Sequence, residues 1–211
     1  MIGICTNCGN HHWDKEISED KNRIICKLCN HQWNFKSLPL FILTGCSGVG
    51  KTTTAQELLQ RETNYIVMDA DILYNIMPHE TEEDLQKWVE YIMEFSINIM
   101  QIGKPLLWTI AGALDKFEAT YHRRFFTNIY YLALVCSKEA LEKRMREGRH
   151  ITNEDWIRSS IDYNQWFMKD GSLPSGCIDT YDITEKTVSE VADYVDQWVR
   201  DRVYTFNHLY K

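Results

Sequence analysis

The chain has 211 residues, of which 44% are hydrophobic and 25% are charged, and its net charge is −7. This length suits one medium α/β domain with a small appendage. We find no long apolar run and no basic start followed by an apolar stretch, so we expect no membrane span, no secretory signal and a cytoplasmic location. The acidic balance disfavours a broad nucleic-acid-binding surface.

The spacing of the seven cysteines indicates metal binding in a reducing compartment. Two Cys-x-x-Cys pairs stand 17 residues apart, a spacing typical of four-cysteine zinc sites: Cys5 with Cys8, and Cys26 with Cys29. Four thiolates complete a tetrahedron, so we predict a structural Zn²⁺ ion. The alternative ligands are His11, His12 and His31. We expect three further cysteines in the core: Cys46, Cys136 and Cys177.

Residues 1–37 are predicted to form a zinc ribbon, with strands near residues 23–25 and 32–35. A segment this small has little core of its own, so the metal should supply much of its stability. Trp13, Trp33 and Phe35 either pack against the rest of the protein or expose a surface on which a base stacks. Residues 38–211 form the second predicted domain.

A phosphate loop opens this second domain. Residues 40–54 read LFILTGCSGVGKTTT, a buried strand followed by the complete Walker A pattern and a helix. The glycines let backbone N–H groups face phosphate oxygens, and the helix presents its positive end to them. Lys51 would reach the outer phosphates, and the Thr52 hydroxyl would hold Mg²⁺. The predicted ATP contacts are Gly45, Ser47, Gly48, Val49, Gly50, Lys51, Thr52 and Thr53.

Strands and helices then alternate to the end of the chain. Further strands are predicted at residues 65–68, 106–110, 129–135 and 177–180, and residues 171–176 are predicted as a loop. Helices are predicted at residues 80–103, 138–147, 153–169 and 187–204, the last beginning with a Thr187-x-x-Glu190 capping box. Such alternation predicts a parallel sheet covered on both faces, with ligands at the carboxyl ends of its strands.

Asp69 and Asp71 follow the second strand of this domain. Phosphoryl transfer to a hydroxyl needs a carboxylate that orients the hydroxyl and accepts its proton near magnesium. Because the two acids are two residues apart, both side chains would face the phosphate loop if the strand continued to Asp71. Alternatively, one of them caps the next helix, and Asp71 is well placed for that role.

These motifs together resemble the small-metabolite kinases of the nucleoside-monophosphate-kinase-like group. The shared features are the Gly-x-Ser-Gly-x-Gly-Lys-Thr loop, the strand ending in Asp-x-Asp and an arginine-bearing helix after the fourth strand. Gluconate kinases, shikimate kinases and chloramphenicol phosphotransferases belong to this group. The resemblance covers residues 38–211 and implies an α/β fold, a five-stranded sheet of order 2-3-1-4-5 and a mobile lid. It also implies ATP and Mg²⁺ as cofactors and a small-molecule acceptor.

The same resemblance assigns roles to individual residues. Asp71 would be the acceptor base and Asp69 would lie nearer magnesium, although the two roles are interchangeable. Arg144 and Arg149 match the lid region, where arginines close over the transferring phosphate, and Arg146 is a weaker candidate. Surface arginines that pair with nearby glutamates are the alternative. Thr180 would begin the adenine-binding loop.

Two other groups of side chains have both a functional and a structural interpretation. Arg123 and Arg124 either grip an anionic acceptor or are surface charge. The aromatic residues of the helix at 153–169 either line an acceptor pocket or, as we favour, pack in the core: Trp156, Tyr163, Trp166 and Phe167.

Three functions compete at this point. The leading one is an ATP-dependent kinase acting on a small metabolite, with nucleosides and nucleotides among the candidates. The second is a polynucleotide 5′-hydroxyl kinase guided by the ribbon, which the acidic charge disfavours. The third is a non-catalytic nucleotide sensor, which needs neither the paired acids nor the lid arginines.

Overall fold

A computed structural model describes residues 2–12, 15–74, 76–78, 80–174 and 176–209, with side chains as far as Tyr204. Trp13 lies outside these residues. The amino-terminal part is a three-stranded antiparallel sheet made of β1 (Glu16–Ile17), β2 (Arg23–Ile25) and β3 (Gln32–Asn34). The strands predicted near residues 23–25 and 32–35 are therefore present.

The larger part is built on a five-stranded parallel sheet. Its strands are β4 (Leu40–Thr44), β5 (Ile66–Asp69), β6 (Leu106–Thr109), β7 (Ile129–Val135) and β10 (Asp179–Asp182). From one edge to the other they lie in the order β5-β6-β4-β7-β10. Numbered along the kinase-like part of the chain, this is the predicted order 2-3-1-4-5, and it places the phosphate-loop strand at the centre.

Helices cover both faces of the sheet, and strand alternation assigns the apolar side chains to one face or the other. The helices are α1 (Lys51–Leu59), α2 (Glu82–Ile99), α3 (Lys138–Lys143), α4 (Glu154–Lys169) and α5 (Val188–Leu209). On one face Ile42 and Trp108 pack with residues of α2. On the other face Leu43 and Leu107 pack with residues of α1 and α5. None of the described helices combines the length and apolarity needed to cross a membrane.

The sequence-based boundaries differ from the structure mainly around the fifth strand of the sheet. The predicted loop at 171–176 instead contains a small hairpin of β8 (Ser172–Leu173) and β9 (Gly176–Cys177). Gly171 and Gly176 have positive φ angles, which a chain reversal of this kind uses. Cys177 is consequently exposed rather than in the core, whereas Cys46 and Cys136 are buried as expected.

The ribbon shares a hydrophobic cluster with the larger part. Ile2, Ile24 and Phe35 are buried in the same cluster as Leu40, and Phe35 packs edge-on against Phe125 with 5.8 Å between ring centroids. Trp33 packs against this cluster while half-buried. Of the two interpretations of these aromatic residues, packing therefore applies to both that are described.

Hydrogen bonds hold the connection between the two parts. The Lys36 N–H donates to the Gln101 side chain over 2.9 Å, and that side chain donates back to the Lys36 carbonyl over 3.1 Å. The Ser37 hydroxyl donates to the Phe125 carbonyl over 2.8 Å. Residues 101 and 125 shortly precede β6 and β7, so the ribbon lies at the amino-terminal end of the sheet. The phosphate loop lies at the carboxyl end.

We predict that Phe35→Ala destabilises the whole protein by about 3–5 kcal/mol, because it empties a buried site shared by both parts. Denaturant unfolding followed by circular dichroism would measure this loss. The control is Leu28→Ala, at a position 70% exposed between two of the cysteines, where we expect a change within about 0.5 kcal/mol. A full-size helical transition with unchanged midpoint in the Phe35 variant would contradict a shared core.

Candidate active site

The phosphate loop leaves no room for side chains at two of its glycines. Gly45 and Gly48 have φ angles of +133° and +81°. A Cβ on Gly45 would lie 2.5 Å from the Leu134 carbonyl oxygen, and one on Gly48 would lie 2.7 Å from Cγ of Met145. The backbone therefore approaches both β7 and the segment after α3 so closely that both positions require glycine.

Lys51 begins α1, and its side chain folds back into the loop. Its ammonium donates to the carbonyl oxygens of Gly45 and Cys46 over 2.9 and 3.0 Å. Burial lowers the pKa of Lys51 to about 8, against the opposing influence of Cys46, Asp71 and Asp69. The ammonium thus lies in the cradle where a nucleotide's phosphates would bind, and phosphate charge would raise its pKa again. Thr52 and Thr53 follow in the first turn of α1 and are exposed.

The two acids lie in different secondary structure: Asp69 ends a strand, and Asp71 lies in the short helix that follows. Asp69 is the last residue of β5, and its Oδ1 accepts a hydrogen bond of 3.1 Å from the Asp71 N–H. Asp69 therefore caps the short 3₁₀ helix Ala70–Leu73, so the capping role considered for Asp71 belongs to Asp69. The strand does not continue to Asp71, because the chain turns into this helix after Asp69.

Asp71 shares an electrostatic field with the phosphate loop. Partial burial and the neighbouring Asp69 carboxylate raise the pKa of Asp71, while Lys51 and Arg149 act in the opposite direction. Lys51, Asp69 and Arg149 thus all influence the charge of Asp71, so four of the five predicted catalytic residues lie within electrostatic range of this carboxylate. A raised pKa makes this carboxylate a stronger base than a free one.

The arginines after α3 separate into three arrangements. Arg149 donates to the Ser47 hydroxyl over 2.8 Å, and its guanidinium lies 5.6 Å from the ring centroid of Trp156. Arg144 donates to the carbonyls of Val49 and Ile183, each over 3.1 Å. This arginine ties the phosphate loop to the segment after β10.

Arg146 lies in the third arrangement and was the weaker lid candidate of the sequence. It pairs with Glu142 over 2.9 Å and with Glu154 over 2.6 Å. All three side chains are at least one third exposed. The glutamate-pairing alternative therefore describes Arg146, and it describes neither Arg144 nor Arg149.

The predicted adenine-loop residue Thr180 is a strand residue. It is exposed and pairs with Ala133 within the sheet. Because β10 ends at Asp182, the segment that leaves the carboxyl end of the sheet begins at Ile183. The Thr184 hydroxyl accepts a bond of 2.9 Å from the Ser137 N–H, which holds this segment beside the start of α3.

Arg123 and Arg124, the candidates for binding an anionic acceptor, lie at the end of the sheet opposite the phosphate loop. Arg123 pairs with Glu118, and Arg124 donates to the Lys15 carbonyl over 2.6 Å. Arg124 thus contacts the ribbon at the amino-terminal end of the sheet, far from the phosphate loop. The sequence did not predict this distance from the phosphate loop, because nothing in it shows which end of the sheet the segment before β7 approaches.

The aromatic side chains of α4 lie near the phosphate loop and β6. Phe167 is buried, Tyr163 and Trp166 are half-buried and pack against the core, and Trp156 is 44% exposed. The favoured core interpretation thus describes all of them except Trp156. Desolvation raises the pKa of Tyr163 to about 12, with contributions from Asp115 and Cys46.

The four ribbon cysteines converge on one point. Their sulfur atoms all lie within 4.8 Å of one another, and the Cys5–Cys29 and Cys8–Cys26 pairs are 3.7 and 3.8 Å apart. A tetrahedron with Zn–S bonds of about 2.3 Å has edges of about 3.8 Å, so the thiols fit Zn²⁺. In the described chain no histidine joins this cluster. The His31 ring instead lies 3.1 Å from the Thr6 hydroxyl.

Comparison with known proteins identifies the family. The family model described as AAA domain matches residues 42–165, which is more than half of the chain and includes the phosphate loop, both acids and the arginines after α3. The chain belongs to this AAA domain family. A comparison with curated proteins finds no match.

Solved structures share the fold of this AAA domain protein at low sequence identity. A gluconokinase from Sinorhizobium meliloti has a TM-score of 0.58 at 15% identity, covering 81% of this chain and 96% of its own. A sugar kinase from Janibacter sp. has a TM-score of 0.58 at 20% identity, covering 78% and 95%. A shikimate kinase from Acinetobacter baumannii has a TM-score of 0.51 at 17% identity, covering 78% and 94%. The predicted resemblance to P-loop small-molecule kinases is thus confirmed for the fold.

We predict that the affinity of this AAA domain protein for ATP falls as pH rises above about 8, the pKa of Lys51. Below that pH the ammonium is charged before and after binding. Above it the free protein loses the charge that bound phosphates would restore, so Kd should rise about tenfold per pH unit. Calorimetric titration between pH 7 and 9.5 would measure the slope. Lys51→Met should bind more weakly and without a slope, and a constant wild-type affinity would contradict the assignment.

Proposed function

We propose that this protein is an ATP-dependent kinase that transfers the γ-phosphoryl group to a hydroxyl group of a small molecule. The observation that carries the proposal is the convergence of Lys51, Asp69, Asp71 and Arg149 on the phosphate loop. A nucleotide sensor needs the loop and the lysine, but it has no use for a carboxylate of raised pKa beside them. The shared fold of sugar and metabolite kinases supports the same conclusion.

Each residue then has a role that follows from its position. The loop N–H groups and the start of α1 bind the phosphates, and Lys51 neutralises the charge that develops on the transferred group. Asp71 orients the acceptor hydroxyl and takes its proton as the oxygen attacks the γ-phosphorus. Arg149, already at the loop through Ser47, turns to the equatorial phosphoryl oxygens.

Arg144 has a supporting role in this proposal. Both of its described hydrogen bonds go to backbone carbonyls, one in the phosphate loop and one after β10. It positions the loop relative to the nucleotide base, for which we propose the segment from Ile183 onward, with Thr180 contributing from the strand before it. We therefore propose Arg149 as the arginine that contacts phosphate.

Magnesium would be held by the Thr52 hydroxyl, through the first turn of α1, and by Asp69. Hydroxyl and carboxylate oxygens are ligands of the type that Mg²⁺ prefers. When bound, the ion would neutralise phosphate charge and orient the outer phosphates. The free oxygen of Asp69 is available for this, because its capping bond uses Oδ1.

The charges near Asp71 favour an acceptor without a negative group. Within residues 110–119, which directly follow β6, the cation is Lys116, which pairs with Glu82 over 2.5 Å and with Asp115 over 3.6 Å. On α2, Lys87 pairs with Glu83 over 2.7 Å. Recognition of a carboxylate or phosphate on the acceptor would need an arginine or lysine that is not already paired. We therefore propose a neutral or amine-bearing hydroxyl compound as the acceptor.

We propose that the four cysteines hold Zn²⁺ and that residues 1–37 form a structural zinc ribbon beside a kinase domain at 38–211. The ribbon lies beyond the amino-terminal ends of β6 and β7, at least a strand length from the phosphate loop. From there it does not reach the loop of its own chain. This position favours a small-molecule acceptor over a polynucleotide end.

The proposed activity can be tested with γ-labelled ATP, Mg²⁺ and separate pools of nucleosides, neutral sugars, amino sugars and sugar acids, beside a 5′-hydroxyl oligonucleotide. We expect label in a neutral or amine-bearing compound. Asp71→Asn should abolish the transfer while ATP affinity changes little, because the acid acts on the acceptor. Label in the oligonucleotide alone would establish the polynucleotide activity, and ATP binding without transfer to any acceptor would establish the sensor.

Arg149 and Arg146 provide a matched pair of variants, because both follow α3 but Arg149 contacts the phosphate loop whereas Arg146 pairs with glutamates. Arg149→Ala should lower turnover by about 10³-fold, the scale of removing an arginine that stabilises the transition state. Arg146→Ala should change turnover by less than about threefold, because it loses only exposed ion pairs. Steady-state kinetics on the identified acceptor would measure both. Equal losses in the two variants would show that Arg149 acts through lid stability.

A further inference from the structure

Trp156 is the aromatic residue of α4 that packing in the core does not explain. It lies in the first turn of the helix and is 44% exposed. The later aromatic residues of α4 pack against the core: Tyr163, Trp166 and Phe167. Cζ of Arg149 instead lies over the Trp156 ring, 5.6 Å from its centroid. This distance suits a cation–π interaction, and tryptophan is the aromatic residue that attracts cations most strongly.

Arg149 is held at the phosphate loop by groups that leave its charge uncompensated. It donates to the Ser47 hydroxyl over 2.8 Å, and it forms no ion pair with a carboxylate of the described residues. Arg146, by contrast, pairs with two glutamates. A carboxylate would compete with phosphate for the guanidinium N–H groups, whereas an aromatic ring attracts the cation and leaves those donors free. The Trp156 ring is therefore a suitable support for an arginine that binds phosphate.

A tight turn fixes the position of Trp156. The chain reverses at His150, whose φ angle of +54° lies in the left-handed region. After this turn the Ile151 N–H donates to the Met145 carbonyl over 3.0 Å. The Asn153 side chain then caps α4 by accepting a hydrogen bond of 3.0 Å from the Trp156 N–H. The first turn of α4 is therefore held next to the segment that follows α3.

We infer that Trp156 is a positioning residue for Arg149: its indole ring holds the guanidinium at the phosphate loop, where it contacts the γ-phosphate of a bound nucleotide. The inference rests on the proposed role of Arg149, but it does not depend on which acceptor is phosphorylated. An arginine side chain has many rotamers, and fixing them costs conformational entropy. Because the ring restricts Arg149 before the nucleotide binds, less of this entropy is lost on binding.

The test measures the Kd of ADP divided by the Kd of a non-hydrolysable ATP analogue, because this ratio isolates the contribution of the γ-phosphate. Calorimetric titrations in the presence of Mg²⁺ would supply both constants. We expect Trp156→Leu to lower the ratio about three- to fivefold, the scale of an exposed cation–π interaction. Trp156→Phe should retain most of the ratio, since a phenyl ring also attracts the cation. The affinity for ADP should not change in either variant.

A double-mutant cycle shows whether Trp156 acts through Arg149. Arg149→Ala should lower the ratio at least as much as Trp156→Leu, and adding Trp156→Leu to it should cause no further loss. The control for removing an exposed aromatic ring is Phe95→Leu on α2, at a position 52% exposed. This control should leave the ratio unchanged. A thermal melt of each variant would confirm that it is folded at the temperature of the titrations.

Three outcomes would overturn the inference. An undiminished ratio in Trp156→Leu would show that the ring is only a surface group. A further loss when Trp156→Leu is added to Arg149→Ala would show that the ring acts through another contact. A wild-type protein that binds the ATP analogue no more tightly than ADP would show that Arg149 does not contact the γ-phosphate.

Failure of the proposed kinase activity would be recognised separately. A wild-type protein whose ratio depends on Trp156 and Arg149 as expected, but which transfers no phosphoryl group to any acceptor, would refute the kinase activity. It would leave the positioning of Arg149 by Trp156 standing, because the ratio is a binding measurement that needs no acceptor.

Discussion

The close approach of the phosphate loop to the central sheet is the constraint on which the site depends. The backbone at Gly45 lies against the Leu134 carbonyl, and Gly48 lies against Met145. Because neither position has space for a Cβ, the loop is held between β7 and the segment after α3 that carries Arg144 and Arg149. The same contact brings Arg149 to Ser47 and Arg144 to Val49. Loop shape and lid position are therefore parts of one packing arrangement.

Charge is the second organising feature of the site. An ammonium inside a partly buried loop is destabilised by desolvation, and two carboxylates side by side repel each other. Lys51 is held between two carbonyl oxygens, and the two acids lie close enough to act on its pKa. Bound phosphates would stabilise the lysine, and an acceptor hydroxyl would give Asp71 a partner. The unliganded site therefore has unfavourable electrostatic interactions, which bound phosphates and an acceptor hydroxyl would relieve. Such interactions are expected at a binding site.

The ribbon occupies the opposite end of the sheet, and its contacts are structural. Phe35 enters the core beside Phe125, and Arg124 donates to the ribbon backbone at Lys15. The cysteine cluster, the rest of the ribbon and the amino-terminal ends of the strands are therefore linked through packing. This arrangement leaves the ribbon away from the carboxyl end of the sheet, where the phosphate loop lies.

The sequence by itself determined the features that depend on neighbouring residues. The glycine spacing of the loop, the Cys-x-x-Cys pairs and the apolar periodicity are local signals, and they predicted the phosphate loop, the cysteine cluster, the five strands and their helices. The strand order came from the family resemblance. The sequence also supplied the candidates Asp69, Asp71, Arg144 and Arg149, since residue types that suit phosphoryl transfer followed the expected strands.

Only the tertiary structure decided how these candidates divide their work. Whether Asp69 or Asp71 caps the next turn depends on where β5 ends, and the distinction among Arg144, Arg146 and Arg149 depends on which surface each side of the helix meets. The direction of Arg123 and Arg124 and the ribbon's place in the core both arise from contacts between distant segments. Such contacts are set by packing across the whole sheet, which local sequence patterns do not encode.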